Sequence, residues 1–237
     1  MPLNPDSRVV VALDFESGHA AMGLVEQLGQ AASFYKVGLQ LLTAEGPSVV
    51  RQLVASGKSV FLDLKLFEIP TSVAGAVTAA GQLGVSMVTV HASGGSAVLR
   101  AAVEAARPFP QLKVLALTVI TSMQAQDLQE VGVGASVQDQ VMRLARLAML
   151  AGCHGVVASP QEARHLRGTL PSGALIVTPG TQLPGDIKSD HARAATPSEA
   201  VRAGSTHLVI GRSIARATNP AATFAAICAQ VAEASGR

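Results

Sequence analysis

The 237-residue chain contains no tryptophan, one tyrosine and six phenylalanines, so aromatic residues make up only 3% of it. Surfaces that bind single-stranded nucleic acid stack bases on such rings, and this chain has almost none to offer. Aliphatic side chains and alanine must fill the interior instead, and a hydrophobic content of 49% suffices for a large core. An excess of charge is lacking too: 18 basic and 16 acidic residues leave a formal net charge of +2. That balance gives no electrostatic footprint for DNA or an anionic bilayer, but it leaves room for a small anion in a local pocket. The two cysteines, Cys153 and Cys228, are too few for a disulfide framework and belong to no CxxC pair or zinc-spaced histidine set. They read as small buried apolar residues. No run approaches the ~18 apolar residues of a membrane span. Met1–Ser7 lacks the basic-then-apolar pattern of a signal peptide. The expected location is the cytoplasm, with neither nucleic acid nor membrane as a partner.

What is present is a rhythm. Short apolar runs recur at Arg8–Leu13, Phe34–Leu39, Ser59–Leu64, Met87–Val90, Lys113–Ile120, Gly155–Ala158, Ala174–Val177 and His207–Ile210. Most are apolar on successive residues, the pattern of parallel strands covered on both faces. Ala-rich stretches of helical length lie between them, among them Ser17–Ala31, Thr71–Leu83, Ser96–Ala106 and Val137–Ala151. In the last, Val137, Val141, Leu144, Ala148 and Ala151 fall three or four apart, on one helix face. Ser17, Ser96, Ser136 and Asn219 are expected N-caps, Asn219 being followed by Pro220. Eight strand–helix units at roughly 30 residues each predict one α/β domain over residues 1–237, a closed (β/α)8 TIM barrel. An open doubly wound sheet is the alternative, with its ligand at a single switch point.

Polar residues stand at or just past the C-terminal ends of these runs: Asp14, Lys36, Asp63, Lys65, His91, Thr121, Thr178 and Arg212. In a barrel those ends converge on one mouth, where active sites are built. Asp63 and Lys65 are two apart and share a strand face, while Leu62, Leu64 and Leu66 take the other. A carboxylate and an ammonium then point into the barrel; a purely structural ion pair is the alternative, although such pairs return little stability when buried. Singly, Asp14 also reads as a helix N-cap, Lys36 as a lysine reaching the surface, and His91 as a core histidine. Thr178-Pro179-Gly180 and Gly211-Arg212-Ser213 close the last two runs. Glycines that let N–H groups approach an oxyanion, a following helix N-terminus and a guanidinium fork make a phosphate site, and barrels often hold phosphate there.

The segment Asp63-Leu-Lys65-Leu-Phe-Glu68-Ile-Pro70 resembles the D-x-K-x-x-D signature of the orotidine 5′-phosphate decarboxylases. The likeness continues through Val11–Asp14, Tyr35–Gly38, Val90–Gly95, Leu117–Met123, Val177–Gly180, Ala195–Pro197 and Val209–Ile214, nearly end to end. It implies that Asp14 and Lys36 hold the ribose hydroxyls and the ends of a charge network. It further implies that Asp63 lies against the substrate carboxylate and that Lys65 protonates C6 of the pyrimidine. Thr121 would contact substrate; Gly211 and Arg212 would bind its phosphate, with Pro179, Gln182 and His191 alongside. Glu68, Ile69 and Ser72 would act across the interface of a homodimer.

The chain departs from the family pattern in places. Glu68 replaces the second aspartate and Thr71-Ser72 the usual Asn-Thr. Gln182 stands where a phosphate-holding cation is usual, and His191 where a glutamine is.

Loss of CO2 from C6 leaves an electron pair in the ring plane with no adjacent carbonyl to accept it. A fixed cation that also delivers a proton answers both needs, so the resemblance implies catalysis without cofactor or metal. Two other readings compete. Mg²⁺-dependent relatives that act on keto-sugar phosphates usually carry a glutamate two residues before the aspartate, where this chain has Phe61. A barrel that only binds a nucleotide would have no use for Asp63 and Lys65 together.

Overall fold

The computed structural model describes residues 5–183 and 195–236. Its strands are β1 (Val9–Ala12), β2 (Phe34–Gly38), β3 (Ser59–Leu66), β4 (Met87–His91), β5 (Lys113–Leu117), β6 (Gly155–Val157), β7 (Leu175–Thr178) and β8 (His207–Ile210). All pair in parallel in chain order, and β8 returns to β1, closing an eight-stranded barrel ringed by helices. The closed (β/α)8 barrel expected from the rhythm is therefore the fold, and the open sheet is excluded.

Two apolar clusters hold it together. Inside the barrel, Phe34, Phe61, Met87, Leu115, Val177 and Val209 interdigitate. His207 meets Phe34 edge-on at the floor, with ring centroids 6.0 Å apart. The larger cluster lies between the sheet's outer face and the helices and includes Val9, Val11, Val37, Leu62 and Val88. Each such side chain, fully buried, stabilises by about 1.5–3 kcal/mol relative to exposure. Leu64 and Leu66 pack against the outer cluster, as the alternation along β3 requires. Strands β6 and β7 approach so closely that a Cβ at position 155 would lie 2.3 Å from the Leu175 carbonyl oxygen, so only glycine fits there.

The helix ends follow local chemistry. Ser17, Ser136 and Asn219 cap their helices, accepting from Ala20, Asp139 and Ala222 N–H groups. Ser96 does not: the helix starts at Gly95, after Gly94, and the Ser96 hydroxyl accepts from Arg100 instead. Strand β5 stops at Leu117, not Ile120: Leu117 makes its last pairing, with Val157, whose carbonyl accepts from both the Thr118 amide and the Thr118 hydroxyl. Strand β3 runs two residues beyond the expected Leu64. Among the described residues no helix is long and apolar enough to cross a membrane.

Candidate active site

Inward-facing positions alternate up each strand, so the residues two beyond the apolar interior form the next layer. Above Ala12 comes Asp14; above Phe34, Lys36; above Phe61, Asp63; above Met87, Thr89. Asp14, Lys36 and Asp63 open into a cavity of about 710 Å³ at the C-terminal mouth, floored by Ala12, Leu117, Val157 and Val209, while Thr89 is fully buried. That volume suits a small organic ligand.

One wall is a chain of alternating charge. Lys36 Nζ lies 2.8 Å from Asp14 Oδ1 and 4.0 Å from Asp63 Oδ2; Asp63 Oδ2 lies 2.9 Å from Lys65 Nζ. The Lys36 and Asp63 side chains retain only 10% and 12% exposure, Lys65 33% and Asp14 56%, so the row runs from a sheltered centre to wetter ends. Asp14 is no helix cap, because Ser17 has that role, and Lys36 does not reach for the outer surface. Each charge is matched by its neighbour, which such burial requires. Gly38 leaves room for the Lys36–Asp14 contact: a Cβ there would sit 3.0 Å from Nζ, which would have to give by a few tenths of an ångström.

The regular alternation of β3 breaks at Lys65. Its φ of +51° makes it the one non-glycine residue in the left-handed region among those described. That conformation costs about 1–2 kcal/mol for an L-residue with a Cβ. Leu62 pairs with Val88, but the next partners are Leu66 and Val90, so β3 spends extra residues against β4. The Lys65 N–H is taken up by the hydroxyl of Thr89, at 2.9 Å, and the same hydroxyl donates to Asp63 Oδ1 at 2.8 Å.

The opposite wall comes from the loops after β5, β7 and β8. Of the residues expected to bind substrate, Thr121, Pro179, Gln182, Gly211 and Arg212 line the cavity. Ser213 of the expected phosphate loop lines it too, as do Gln40, Ser122 and Arg216, which were unanticipated from the sequence. Arg216 stands four residues beyond Arg212, a spacing that brings two side chains to one side of a helical turn and was the available signal. Among the described residues, the cavity lining carries four cations, Lys36, Lys65, Arg212 and Arg216, against two carboxylates, Asp14 and Asp63. It is built for an anionic ligand. His191 lies outside the described residues; the flanks of that segment are tied where the Gln182 N–H donates to the Ala195 carbonyl and the Ala195 N–H to Gly180.

Glu68, Ile69 and Ser72 do not line the cavity of their own chain. All three are exposed, and the Ser72 hydroxyl and then the Ile69 N–H hold the Glu68 carboxyl below its usual range. Phe67 and Ile69, either side of Glu68, are 63% and 60% exposed. His91 is neither fully buried nor a substrate wall. It stacks on Phe67 with centroids 5.2 Å apart and accepts from the Ser93 N–H. Burial, then the nearby Lys65 charge, lowers its pKa. Among the described residues no cluster of His, Cys, Asp or Glu is arranged to hold a metal ion. Phe61, two residues before Asp63, is packed in the barrel interior at 1% exposure.

Comparison with known proteins bears on the family and the fold. Residues 7–227 match the model of the orotidine 5′-phosphate decarboxylase / HUMPS family. The chain is 47% identical to an orotidine 5′-phosphate decarboxylase of Halorhodospira halophila, over 96% of this chain and 97% of that protein. It is 44% identical to one from Anaeromyxobacter dehalogenans, over 96% and 99%. The crystal structure of orotidine 5′-phosphate decarboxylase from Lactobacillus acidophilus superposes with a TM-score of 0.84 at 33% identity, covering 94% of this chain and 98% of that one. On the family match and the near-full-length identity together, this chain belongs to the orotidine 5′-phosphate decarboxylase / HUMPS family.

Proposed function

We propose that the chain decarboxylates orotidine 5′-phosphate to uridine 5′-phosphate and CO2, a step of pyrimidine nucleotide biosynthesis in the cytoplasm, using its own side chains without metal or cofactor. The observation that carries this reading is the Asp14–Lys36–Asp63–Lys65 row. It supplies a cation held against a carboxylate at one end of an anion-binding cavity. The C6–carboxylate bond breaks, its electron pair stays on C6, and the Lys65 ammonium gives C6 a proton. The neutral amine regains one from solvent. Asp63 lies beside the substrate carboxylate, and Asp14 and Lys36 meet the ribose hydroxyls.

At the far end, Gly211, Arg212 and Arg216 receive the phosphate, with Pro179, Gln182 and His191 as further substrate-binding residues and Thr121 contacting the base. Among the described lining residues, the surplus of two cations matches a phosphate dianion. Energy from this remote contact can be used to order the site around C6. Phe61 supports the metal-free reading within the family, since an apolar side chain occupies the position where a metal-binding relative needs a carboxylate. The exposed Glu68, flanked by bare Phe67 and Ile69, supports a homodimer in which Glu68, Ile69 and Ser72 complete the partner's cavity.

Loss of orotidine 5′-phosphate absorbance, followed with and without EDTA, tests the reaction and its independence of metal together. Lys65→Ala should nearly abolish turnover while uridine 5′-phosphate still binds. Retention of more than about a few per cent of the wild-type rate would overturn Lys65 as the proton donor, since such a donor contributes roughly 10²–10⁴-fold.

A further inference from the structure

We infer that Thr89 is a positioning residue for the decarboxylation, its single hydroxyl setting both the Asp63 carboxylate and the backbone of Lys65; this rests on the reaction proposed above. Thr89 is the middle residue of β4, on the strand's inward face, and is fully buried. A threonine hydroxyl has one proton to donate and two lone pairs. Here the proton goes to Asp63 Oδ1, at 2.8 Å, and a lone pair receives the Lys65 N–H, at 2.9 Å. Asp63 Oδ2 is then left for the Lys65 ammonium, at 2.9 Å. One oxygen atom therefore closes a loop that runs from the Lys65 amide through Thr89 and Asp63 to the Lys65 ammonium.

The loop answers two problems created at this point in the chain. The pairing of β3 with β4 skips between Leu62 and Leu66, and the Lys65 amide is met by a side chain from the facing strand. Lys65 also holds a left-handed backbone that nothing about lysine favours. The hydroxyl that caps its amide fixes this geometry, and with it the direction in which the side chain leaves the strand. By donating to Oδ1, Thr89 also stops the carboxylate rotating about its Cβ–Cγ bond. Both groups that flank the reacting carbon are thus aimed by an atom that touches neither substrate nor product.

Thr89→Val keeps the shape and removes the hydroxyl. Its kcat on orotidine 5′-phosphate should fall on the order of 100-fold, the scale for displacing a reacting group by about 1 Å. Affinity for uridine 5′-phosphate should stay within about threefold, because the ribose and phosphate contacts are unchanged. Thr89→Ser and Thr89→Ala form a second pair, both lacking the methyl and differing only in the hydroxyl. Serine should restore most of kcat and alanine should not, with similar melting temperatures for the two. Should Thr89→Val not fold, this pair decides alone. Wild-type kcat in Thr89→Val or Thr89→Ala overturns the inference, as does parallel loss of kcat and product affinity, or failure of serine to rescue. Absence of turnover by the wild-type enzyme would overturn the proposed reaction itself, a separate result.

Discussion

If Glu68 works in the neighbouring subunit, two crippled enzymes should repair each other. Lys65→Ala removes the ammonium from every cavity, and Glu68→Ala removes an exposed carboxylate that does not line the cavity of its own chain. Each pure homodimer has two defective sites. After equal amounts are mixed and subunits exchange freely, about half the dimers are mixed. In a C2 dimer each mixed species has one site lacking both groups and one with Lys65 from one chain and Glu68 from the other, so about a quarter of all sites are whole. Activity should therefore climb from the few per cent of either parent to roughly a quarter of wild type, with exchange followed by mass spectrometry. Glu68 also accepts from its own Ser72 and Ile69, so its loss disturbs the start of the helix Pro70–Gln82. That local damage stays on the mutated chain, and in the mixed dimer this is the chain supplying Lys65 to the repaired site. The Ser72→Ala variant mixed with Lys65→Ala is the control for it. If exchange is complete and activity remains at the parental mean, Glu68 acts in its own subunit or not at all.

Three further outcomes are expected. Gly38→Ala has an ordinary extended backbone to occupy, at φ −101° and ψ −175°, but puts a Cβ 3.0 Å from Lys36 Nζ. Stability should change by less than about 1 kcal/mol while KM rises; an unchanged KM in steady-state assays would separate the Lys36–Asp14 contact from substrate binding. Gln182→Arg adds a forked donor to the cavity and should tighten uridine 5′-phosphate binding by about 1–3 kcal/mol; unchanged affinity by calorimetry means position 182 does not meet the phosphate. His207, whose pKa burial and then the Arg8 charge depress from 6.5 to about 4, favours the fold while neutral. The unfolded chain binds the proton first, so stability from this residue is intact above about pH 6.5 and falls by roughly 3 kcal/mol as pH drops towards 4. In urea titrations across that window His207→Leu should lose that much less than wild type; identical slopes would refute the assignment.

The barrel was legible because buried parallel strands leave successive apolar residues in the sequence, and because Asp14, Asp63 and Arg212 punctuate them at one end. His207–Ile210 matches its strand residue for residue. The pairing of Asp63 with Lys65 could be read from alternation along one strand, whereas that of Asp14 with Lys36 follows only once β1 and β2 lie side by side, since neither residue declares it alone. Thr89 was invisible for a different reason: a threonine in an apolar strand reads as a β-branched residue, and its use of the hydroxyl depends on a register skip in another strand. No pattern of residue types announces a left-handed lysine. Ser96 misled because its hydroxyl is equally suited to capping and to receiving Arg100, and the cap lies two residues earlier, at Gly94.

The chain's single tyrosine lies in β2, next to Lys36, on the face turned towards the helices. Its hydroxyl donates to the Ala32 carbonyl, and burial pushes its pKa up to about 12. With no tryptophan to mask it, this phenol is the whole of the protein's near-ultraviolet fluorescence of consequence. An optical signal from this enzyme is therefore a report from one address. Phenolate absorbance emerging near pH 10, instead of near 12, marks a chain whose barrel has opened. The weak protein background also leaves the pyrimidine's own spectrum almost unobstructed, so folding and turnover can be followed in the same cuvette.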